Sequence, residues 1–303
     1  MTALIAVDWG TSSLRAWRLD RAGAILERRR GGLGILKVAD GNFAAAFESA
    51  LGDWLRASPH APVLMAGMIG SRQGWVEAPY ADCPAGVDAI GRHLAAVPGH
   101  DRVHIVPGLA RRETNRAPDV MRGEETQIFG LDLKEALAIL PGTHSKWTSV
   151  RGGAIDWFAT FMTGEVYDVL RRHSILGRMM EDTPRNGVPA GFAEGLRETL
   201  SGGSGLLQSL FSTRTRGLFG ELTPQQAPGY LSGLLIGSEV FEGLAALDGR
   251  ANRPAEAVLI GTEALTPLYA FALAEAGIAS TVAGEDCCAS GLYRIATMAG
   301  LIA

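Results

Sequence analysis

A short polar turn near the N-terminus has the composition of a phosphate-binding loop. It consists of Gly10, Thr11, Ser12 and Ser13, and it joins two apolar strands. A glycine lets successive backbone N–H groups point into one concavity, and the hydroxyl groups add donors for phosphate oxygens. The same residues also suit a plain hairpin whose hydroxyls cap its own backbone. The turn alone leaves phosphate binding and a structural hairpin as alternatives.

Two charged residues flank this turn and extend its chemistry. Asp8 ends the first strand, and a carboxylate there can hold Mg²⁺ or its water shell beside a phosphate. Arg15 follows seven residues later and can bring its forked guanidinium to the same face. We therefore expect Asp8 to position the metal and Arg15 to neutralise charge on a transferring phosphoryl group.

A second Gly-Thr turn repeats the pattern in the middle of the chain. Gly142, Thr143 and His144 join two further strands, and Gly10 and Gly142 are 132 positions apart. Two domains that share this plan can hold a triphosphate from two sides, which favours phosphate binding. Lys146 either adds positive charge near the transferring oxygens or is a surface lysine. His144 has no neighbouring His, Cys or carboxylate in the sequence, so we do not expect it to bind a metal.

An acidic segment near the centre supplies a candidate catalytic base. Glu124 and Glu125 follow Arg122 and Gly123 at the predicted start of a helix. A carboxylate at the cleft between two domains can accept the proton of a hydroxyl that attacks a phosphoryl group. Glutamates in a first helical turn also simply stabilise the helix dipole. Successive helical residues point in different directions, so at most one of the pair faces the reacting centre, and spacing does not choose between them.

The composition is that of a two-domain protein of ordinary hydrophobicity. Its 303 residues exceed what one core usually holds, and 28 Lys and Arg against 32 Asp and Glu give a net charge of −4. That charge offers no basic field for nucleic acid or anionic lipid. The three cysteines form neither an even framework nor a CxxC motif, so we expect buried thiols and a cytoplasmic location. We see no signal peptide and no apolar run near the length of a membrane span.

Hydrophobic periodicity predicts the elements that position these residues. The first half reads βββαβαβ, with strands at 4–7, 14–19, 24–28, 62–66 and 103–106 and a helix at 42–56. The acidic segment 121–130 is the predicted hinge. The second half reads as another α/β unit that contains a long helix at 230–247, which is either core or the face of a homodimer. We expect loops and short helices over 183–215.

Five segments resemble the landmarks of the actin-like sugar kinase superfamily, in the superfamily's order. They are the first phosphate motif at 8–15, the catalytic segment at 123–125, the second phosphate motif at 141–144, the adenosine motif at 259–262 and the closing interdomain helix at 285–296. The resemblance implies an α/β fold of two actin-like (ribonuclease H-like) domains with an ATP cleft between them. It implies ATP and Mg²⁺ as cofactors, with Gly261 and Thr262 at the adenosine and Glu124 as the base.

The implied domains are 1–120, on the sugar-acid and phosphate side, and 121–303, on the nucleotide side. The last helix, at about 286–300, is expected to pack back toward the domain interface. We expect the domains to close on the ligands, because water would otherwise compete with the sugar hydroxyl for the phosphoryl group.

Longer strings of the sequence are similar to those of 2-dehydro-3-deoxygalactonokinases. These strings lie at 65–71, 120–127, 140–147, 161–165 and 231–237. The resemblance implies ATP-dependent phosphorylation of the 6-hydroxyl of 2-dehydro-3-deoxy-D-galactonate during galactonate breakdown. Glu124 stands where the broader carbohydrate kinases have Asp, so its carboxylate reaches one methylene further. A Gly-Glu-Glu string is also found in the exopolyphosphatase branch.

The implied substrate is an anion, so a cation must meet its carboxylate. Arg72 and Arg122 are the candidates, because a guanidinium fork matches a carboxylate in two hydrogen bonds. Arg72 is equally consistent with a solvent-exposed loop arginine. Further candidates for the sugar pocket are Gln73, Trp75, Thr163 and Glu165.

Three other functions would keep the same turns. A phosphohydrolase of polyphosphate or guanosine pentaphosphate would use Glu124 with water as the nucleophile, but the net charge of −4 argues against a channel for a polyanion. A noncatalytic ATP-binding regulator or chaperone would lack the base. A kinase for another sugar acid, such as 2-dehydro-3-deoxygluconate, would differ only in hydroxyl contacts that the sequence does not locate.

Overall fold

A computed structural model describes residues 1–181, 187–200, 202, 204–248 and 256–302. The strands in this part of the chain are β1 (Leu4–Trp9), β2 (Leu14–Leu19), β3 (Ile25–Gly31), β4 (Val63–Ala66), β5 (Tyr80–Asp82), β6 (Ala95–Val97), β7 (His100–Ile105), β8 (Gly108–Arg111), β9 (Asp119–Met121), β10 (Glu135–Leu140), β11 (Ser145–Arg151), β12 (Ala154–Phe161), β13 (Glu256–Leu259) and β14 (Ala279–Val282). The α-helices are α1 (Phe43–Ala57), α2 (Val87–Gly91), α3 (Glu124–Phe129), α4 (Thr163–His173), α5 (Phe192–Leu200), α6 (Leu206–Leu218), α7 (Ala227–Asp248), α8 (Thr266–Glu275) and α9 (Cys287–Met298).

Two larger sheets repeat one strand order in the described residues. The first has the order β3-β2-β1-β4-β7-β6, and the second has β12-β11-β10-β13-β14. In the first, β1 pairs antiparallel with β2 and parallel with β4. In the second, β10 pairs parallel with β13, which pairs parallel with β14. In each sheet the first three strands are neighbours in chain order and parallel strands follow beside the first strand, which agrees with the predicted common plan; the first sheet has in addition the antiparallel edge strand β6.

The chain divides into two compact units. The first unit consists of Met1–Glu135, Ser149–Phe158 and Gly284–Ala303, and the second consists of Ala136–Thr148 and Ala159–Ala283. This division differs from the predicted boundary at residue 120, because α3 packs tightly on α9 within the first unit. A Cβ at Gly291 of α9 would lie 1.8 Å from the carbonyl oxygen of Thr126.

The first unit is built around β1, whose side chains alternate between two packed faces. Ile5, Val7 and Trp9 join the apolar side of α1 in one core cluster. Asn42 caps that helix by accepting a hydrogen bond from a backbone N–H three residues on. On the opposite face α9 packs against β1, β2 and β4. Asp8, next to Val7, points to this second face.

The second unit is built around α7. This helix is buried along most of its length, and glycines let α5 approach closely: a Cβ at Gly195 would lie 2.1 Å from the carbonyl oxygen of Tyr230. Among the described residues, α7 alone is long and apolar enough to cross a membrane, although we expected no such run, and 72% of its most apolar window is buried inside the protein. The predicted helix at 230–247 is thus a core element, not a dimer face.

The predicted regular elements agree with the structure to within a few residues, and the differences fall on short or irregular segments. The small sheet β5-β8-β9 was not predicted, because strands of three or four residues carry no clear periodicity. Where the structure describes 183–215, it has loops and two helices, α5 of nine residues and α6 of 13, so the expected loops and short helices are found except that α6 is longer. Residues 183–186, 201 and 203 of that prediction lie outside the described residues. The three cysteines are free, with Cys287 and Cys288 buried and Cys83 half-buried.

Candidate functional site

The first turn, Gly10–Ser13, is held by its backbone and exposes its hydroxyls. The N–H of Gly10 donates to the carbonyl oxygen of Ser13 at 2.9 Å, and the carbonyls of Gly10 and Thr11 accept N–H groups from the 3-10 turn Ile35–Lys37. Gly34 lies so close that a Cβ there would be 2.2 Å from the Thr11 carbonyl oxygen. Thr11, Ser12 and Ser13 are exposed. The turn is therefore fixed from behind and free to bind an anion in front.

Asp8 and Arg15 lie opposite each other on β1 and β2 and form an ion pair. The Arg15 Nε lies 3.1 Å from Asp8 Oδ2, and the Asp8 side chain is 14% exposed. On its other side Asp8 touches Gly67, where a Cβ would lie 3.0 Å from Oδ1 and where φ is +92°. The structure thus brings these two predicted residues together beside the first turn.

The start of α3 lies at the same end of the sheet. Gly123 has φ of +106°, and a Cβ there would lie 3.1 Å from the Cα of Gly67, which itself abuts Asp8. Only glycine adopts this conformation without strain and permits this approach. Glu124, the first residue of α3, is thereby brought near the Asp8 end of β1.

The two adjacent glutamates occupy different environments. Glu124 is partly exposed, and its Oε2 accepts the backbone N–H of Arg122 at 2.9 Å. Glu125 is fully buried, and its two oxygens accept the N–H of Gly123 at 2.9 and 2.7 Å while Oε1 also accepts the Thr126 hydroxyl. Burial, together with the charge of Glu124, raises the pKa of Glu125 to about 7. Glu124 is therefore the member of the pair that a substrate can reach.

The two candidate arginines differ sharply in their surroundings. Arg122 donates from Nη2 to the Ala78 carbonyl oxygen at 2.8 Å and lies 4.3 Å from the centre of the Tyr80 ring. Its Nε and Nη1 are buried without a hydrogen-bond partner among the described residues. The Arg72 side chain is 87% exposed and contacts Glu77. Arg122 is thus the preformed cation with unused donors.

The remaining first-unit candidates follow Arg72 in the loop after β4. Gln73 is exposed. Trp75 is half-buried, and its ring packs against Phe47 and His100, with centroid distances of 5.3 and 5.1 Å. The Trp75 ring therefore packs at the partly exposed edge of the first unit's core, and its contact with a sugar acid stays a prediction.

The second turn, Pro141–His144, is braced by the start of α4. The N–H of Glu165 donates to the Thr143 carbonyl oxygen at 3.0 Å, and a Cβ at Gly164 would lie 2.4 Å from the carbonyl oxygen of Gly142. The imidazole of His144 contacts the carboxylate of Glu165. The sequence near His144 offers no such carboxylate, because this partner comes from 21 residues away. In the described residues, no group of three or more His, Cys, Asp or Glu side chains is arranged to hold a metal.

The predicted adenosine motif lies beside the second turn. Gly261 follows β13, which pairs parallel with β10, and a Cβ at Gly261 would lie 3.5 Å from the carbonyl oxygen of Pro141. Thr262 accepts the backbone N–H groups that begin the turn into α8. Both residues are exposed. The carboxyl ends of neighbouring parallel strands therefore present both segments at one edge.

Lys146 and Thr163 are the remaining candidates of the second unit. Lys146 is only 5% exposed, so the interpretation as a surface lysine is wrong. Thr163 starts α4, and its hydroxyl donates to a carboxylate that the sequence did not single out, that of Glu239. Glu239 is buried in α7 and also binds Ser145, Trp147 and Tyr269. In the sequence, the one feature that could have singled out Glu239 is an acidic residue inside an otherwise apolar helical segment.

Comparisons with known proteins identify the family. The model of the DGOK family, described as 2-keto-3-deoxy-galactonokinase, matches residues 8–295. The chain belongs to this family. The family name is that of a phosphotransferase acting on a hydroxyl group of a sugar acid, and the resemblance noted in the sequence is confirmed.

Named relatives of the DGOK family cover nearly the whole chain. An Escherichia coli (strain K12) protein named 2-dehydro-3-deoxygalactonokinase is 37% identical over 300 residues, covering 98% of both chains. A Rhizobium meliloti (strain 1021) protein named "Probable 2-dehydro-3-deoxygalactonokinase DgoK1" is 38% identical over 282 residues, covering 90% of this chain and 89% of that protein.

Solved structures support the fold of this DGOK chain. A crystal structure of a Sinorhizobium meliloti protein with the same enzyme name superposes with a TM-score of 0.88 at 36% identity, covering 97% of this chain and 98% of that one. A 2-hydroxyisocaproyl-CoA dehydratase activator from Clostridium difficile, with bound ADPNP, reaches a TM-score of 0.51 at 12% identity, covering 98% and 96% of the two chains, which speaks for the fold alone. The α/β, actin-like fold class expected from the sequence is confirmed.

Proposed function

We propose that this chain transfers the γ-phosphoryl group of ATP to the 6-hydroxyl of 2-dehydro-3-deoxy-D-galactonate. The observation that carries the proposal is the similarity over 98% of both chains to the Escherichia coli 2-dehydro-3-deoxygalactonokinase. The site supports it, because each unit presents an exposed Gly-Thr turn and the first unit adds a reachable carboxylate. The proposal thus comprises a kinase activity on a sugar acid, ATP as the phosphoryl donor and a small molecule as the acceptor.

The nucleotide contacts follow from the two turns. Residues Gly10–Ser13 and Gly142–His144 bind the phosphates through backbone N–H groups and hydroxyls, and Gly261 and Thr262 bind the adenosine. Arg15 and the buried Lys146 balance the charge that develops during transfer.

Asp8 is the residue in this proposal that would hold Mg²⁺. Its hard carboxylate oxygens suit this ion, which commonly binds through one or two carboxylates plus substrate phosphates and keeps several waters. Its position directly before the first turn fits that role, and the carboxylate is shared with Arg15. When bound, Mg²⁺ supplies charge neutralisation at the phosphates.

Glu124 is the proposed general base. It orients the terminal hydroxyl of the sugar acid and accepts its proton as the oxygen attacks phosphorus. The partial exposure of Glu124 and the complete burial of Glu125 support this choice. The Gly123 backbone that precedes it abuts Gly67 beside Asp8, which supports a common site for base and metal.

Arg122 is the proposed partner of the substrate carboxylate. An unpaired buried donor costs free energy, and an anion at its Nε and Nη1 would remove that cost. Both atoms are closed to solvent although the residue is partly exposed, so this contact requires neighbouring groups to move when the substrate binds. Contacts of Gln73, Thr163 and Glu165 with the sugar acid remain part of the proposal, whereas Arg72 is too exposed to be favoured.

ADP release tests the function directly. The protein is incubated with Mg²⁺, ATP and, in separate reactions, 2-dehydro-3-deoxygalactonate, 2-dehydro-3-deoxygluconate, a plain hexose or no acceptor. We expect release only with a sugar acid, and fastest with the galactonate epimer. Equal release without acceptor would replace this proposal with a phosphohydrolase, and no release at all would leave a nucleotide-binding protein.

Two further proposals concern the whole molecule. We infer a cytoplasmic location from the three free thiols, which suit a reducing compartment. Homodimerisation is proposed without an assigned surface, because the helix first considered for it is buried. Light scattering in solution gives the mass that decides between monomer and dimer.

A further inference from the structure

Helix α7 carries one buried carboxylate that the proposed reaction does not use. Glu239 is 2% exposed. Its Oε1 accepts the Ser145 hydroxyl at 2.6 Å and the Trp147 Nε1–H at 2.8 Å, and its Oε2 accepts the Tyr269 hydroxyl at 2.5 Å. The Thr163 hydroxyl is a fourth donor. Burial raises the pKa of the Glu239 carboxyl, and these donors oppose that rise because they favour the ionised form, which only accepts hydrogen bonds.

Three of these donors lie in elements that follow or pack against a segment proposed to bind ATP. Ser145 directly follows the second turn. Thr163 begins α4, whose Gly164 packs against that turn. Tyr269 lies in α8, which begins after Gly261 and Thr262. One carboxylate thus connects β11, α4 and α8 from beneath, within the second unit.

The second turn itself is exposed and has few contacts of its own. The turn is held by the hydrogen bond from the N–H of Glu165 to the Thr143 carbonyl oxygen and by the close contact of Gly164 in α4. The shape of the turn therefore depends on where β11 and α4 begin. Hydrogen bonds to a charged acceptor are stronger than those between neutral groups and are directional, so Glu239 can fix both starting points.

We propose that Glu239 is a positioning residue for the nucleotide: it holds the starts of β11 and α4, and helix α8, in the positions that give the second turn and the Gly261–Thr262 segment their ATP-binding shape. This inference rests on the proposed function, since it assigns those segments to ATP. It adds a residue that contacts no substrate and acts through Ser145, Thr163 and Tyr269.

The decisive variant is Glu239→Gln, which keeps the size of the side chain and replaces one acceptor oxygen with a donor NH₂ group. Where the amide NH₂ faces the Tyr269 hydroxyl, that hydroxyl must accept instead of donate, so the hydrogen bonds to a carboxylate are replaced by weaker bonds to a neutral group. We expect KM for ATP to rise roughly tenfold, and KM for the sugar acid to rise by a smaller factor, because the start of α4 also carries the proposed sugar-acid contacts Thr163 and Glu165. A carboxylate that merely stabilised the fold would lower Tm and the active fraction and leave both KM values unchanged.

Thr199→Val is the matched control. Thr199 of α5 is buried and donates at 2.8 Å to the carbonyl oxygen of Leu234 in α7, the helix that carries Glu239. This hydrogen bond belongs to the packing of α5 on α7. Valine preserves its shape and removes the hydrogen bond. We expect a lower Tm with both KM values unchanged, so a rise in KM for ATP in this control would remove the special role of Glu239.

Two further variants keep the test valid if Glu239→Gln does not fold. Tyr269→Phe and Ser145→Ala each remove one donor to the carboxylate, and each is expected to raise KM for ATP by a smaller factor. Unchanged KM for ATP in both folded variants would overturn the inference.

Calorimetric titration with ADP separates this inference from the proposed function. If the wild-type protein releases no ADP with any sugar acid, the proposed function fails, yet weaker ADP binding by Glu239→Gln would still support the positioning role. ADP binding of equal affinity in wild type and variant would overturn the inference, whatever the acceptor proves to be.

Discussion

The two Gly-Thr turns share a strand plan but are held in opposite ways. Both join the first two strands of a sheet with the same strand order. In the first, the residues two before and five after the glycine are Asp8 and Arg15, which form an ion pair near the surface. In the second, the same positions are Leu140 and Trp147, both buried, and the indole bonds to Glu239.

The two turns therefore differ in what surrounds them: charged side chains flank the first turn, and buried side chains fix the shape of the second. The first turn has the charged side chains of Asp8 and Arg15 at its edge, which are the proposed partners of a metal and of a transferring phosphoryl group. The second has exposed polar residues on a buried base of apolar side chains and hydrogen bonds. A duplicated hairpin can therefore have one copy specialised for chemistry and the other for holding the nucleotide, and the following variants test that division.

The largest effect is expected from the base of the first unit. Glu124→Gln removes the proton acceptor while preserving size, so kcat should fall by roughly 10² to 10⁴ with the fold intact. Glu48→Gln, at an exposed glutamate of α1 paired with Arg56, is the control and should retain wild-type turnover. Near wild-type kcat in Glu124→Gln would contradict the assignment of the base.

A large effect on stability is expected from the buried carboxylate next to this base. The pKa of Glu125 is about 7 in the folded protein against a usual 4.5. Between these values the unfolded chain has lost the proton and the folded chain keeps it, so the free energy of unfolding falls as pH rises. The loss is about 3 kcal/mol, complete above pH ~7 and absent below pH ~4.5.

Glu125→Gln removes this titration. Urea unfolding at pH 5, 6, 7 and 8 should show a flatter pH dependence for the variant than for the wild type. Parallel curves for the two proteins would contradict the raised pKa.

A smaller effect is expected from the glycines that support the turns. Gly34→Ala and Gly164→Ala place a methyl group 2.2 and 2.4 Å from the backbone of the first and second turn respectively. Each should cost about 1–3 kcal/mol of stability and raise KM for ATP. Gly99→Ala is the control. A Cβ there meets nothing within 4 Å, but φ is +76°, so this variant measures the cost of backbone strain without a steric clash. An unchanged KM in one variant would exclude the corresponding turn from nucleotide binding.

The smallest effect is expected from Asp8→Asn. The amide keeps the shape, but it weakens the ion pair with Arg15 and the attraction for Mg²⁺, so the Mg²⁺ concentration for half-maximal activity should rise about tenfold. Asp53→Asn, at an exposed ion pair with Arg29, is the control. Equal Mg²⁺ requirements in both variants would leave the first turn without a metal role.

The sequence alone was sufficient to predict both turns, most of the regular elements and the family. Periodic burial in α1 and the apolar strand β1 are local patterns, and Gly-Thr turns between strands are read directly from neighbouring residues. The long strings around Gly123 and Gly142 carried the resemblance to the DGOK family, which the match over residues 8–295 bears out.

Tertiary structure alone decided which side chains are available. It buried Glu125 and left Glu124 reachable, placed Trp75 at the edge of a core, gave His144 the carboxylate of Glu165, and surrounded Glu239 with four donors. The physical reason is that burial and hydrogen-bond partners come from segments distant in the chain, such as Ser145 and Glu239, which are 94 positions apart. Local spacing determines which face of an element a residue occupies, and only packing determines what that face meets.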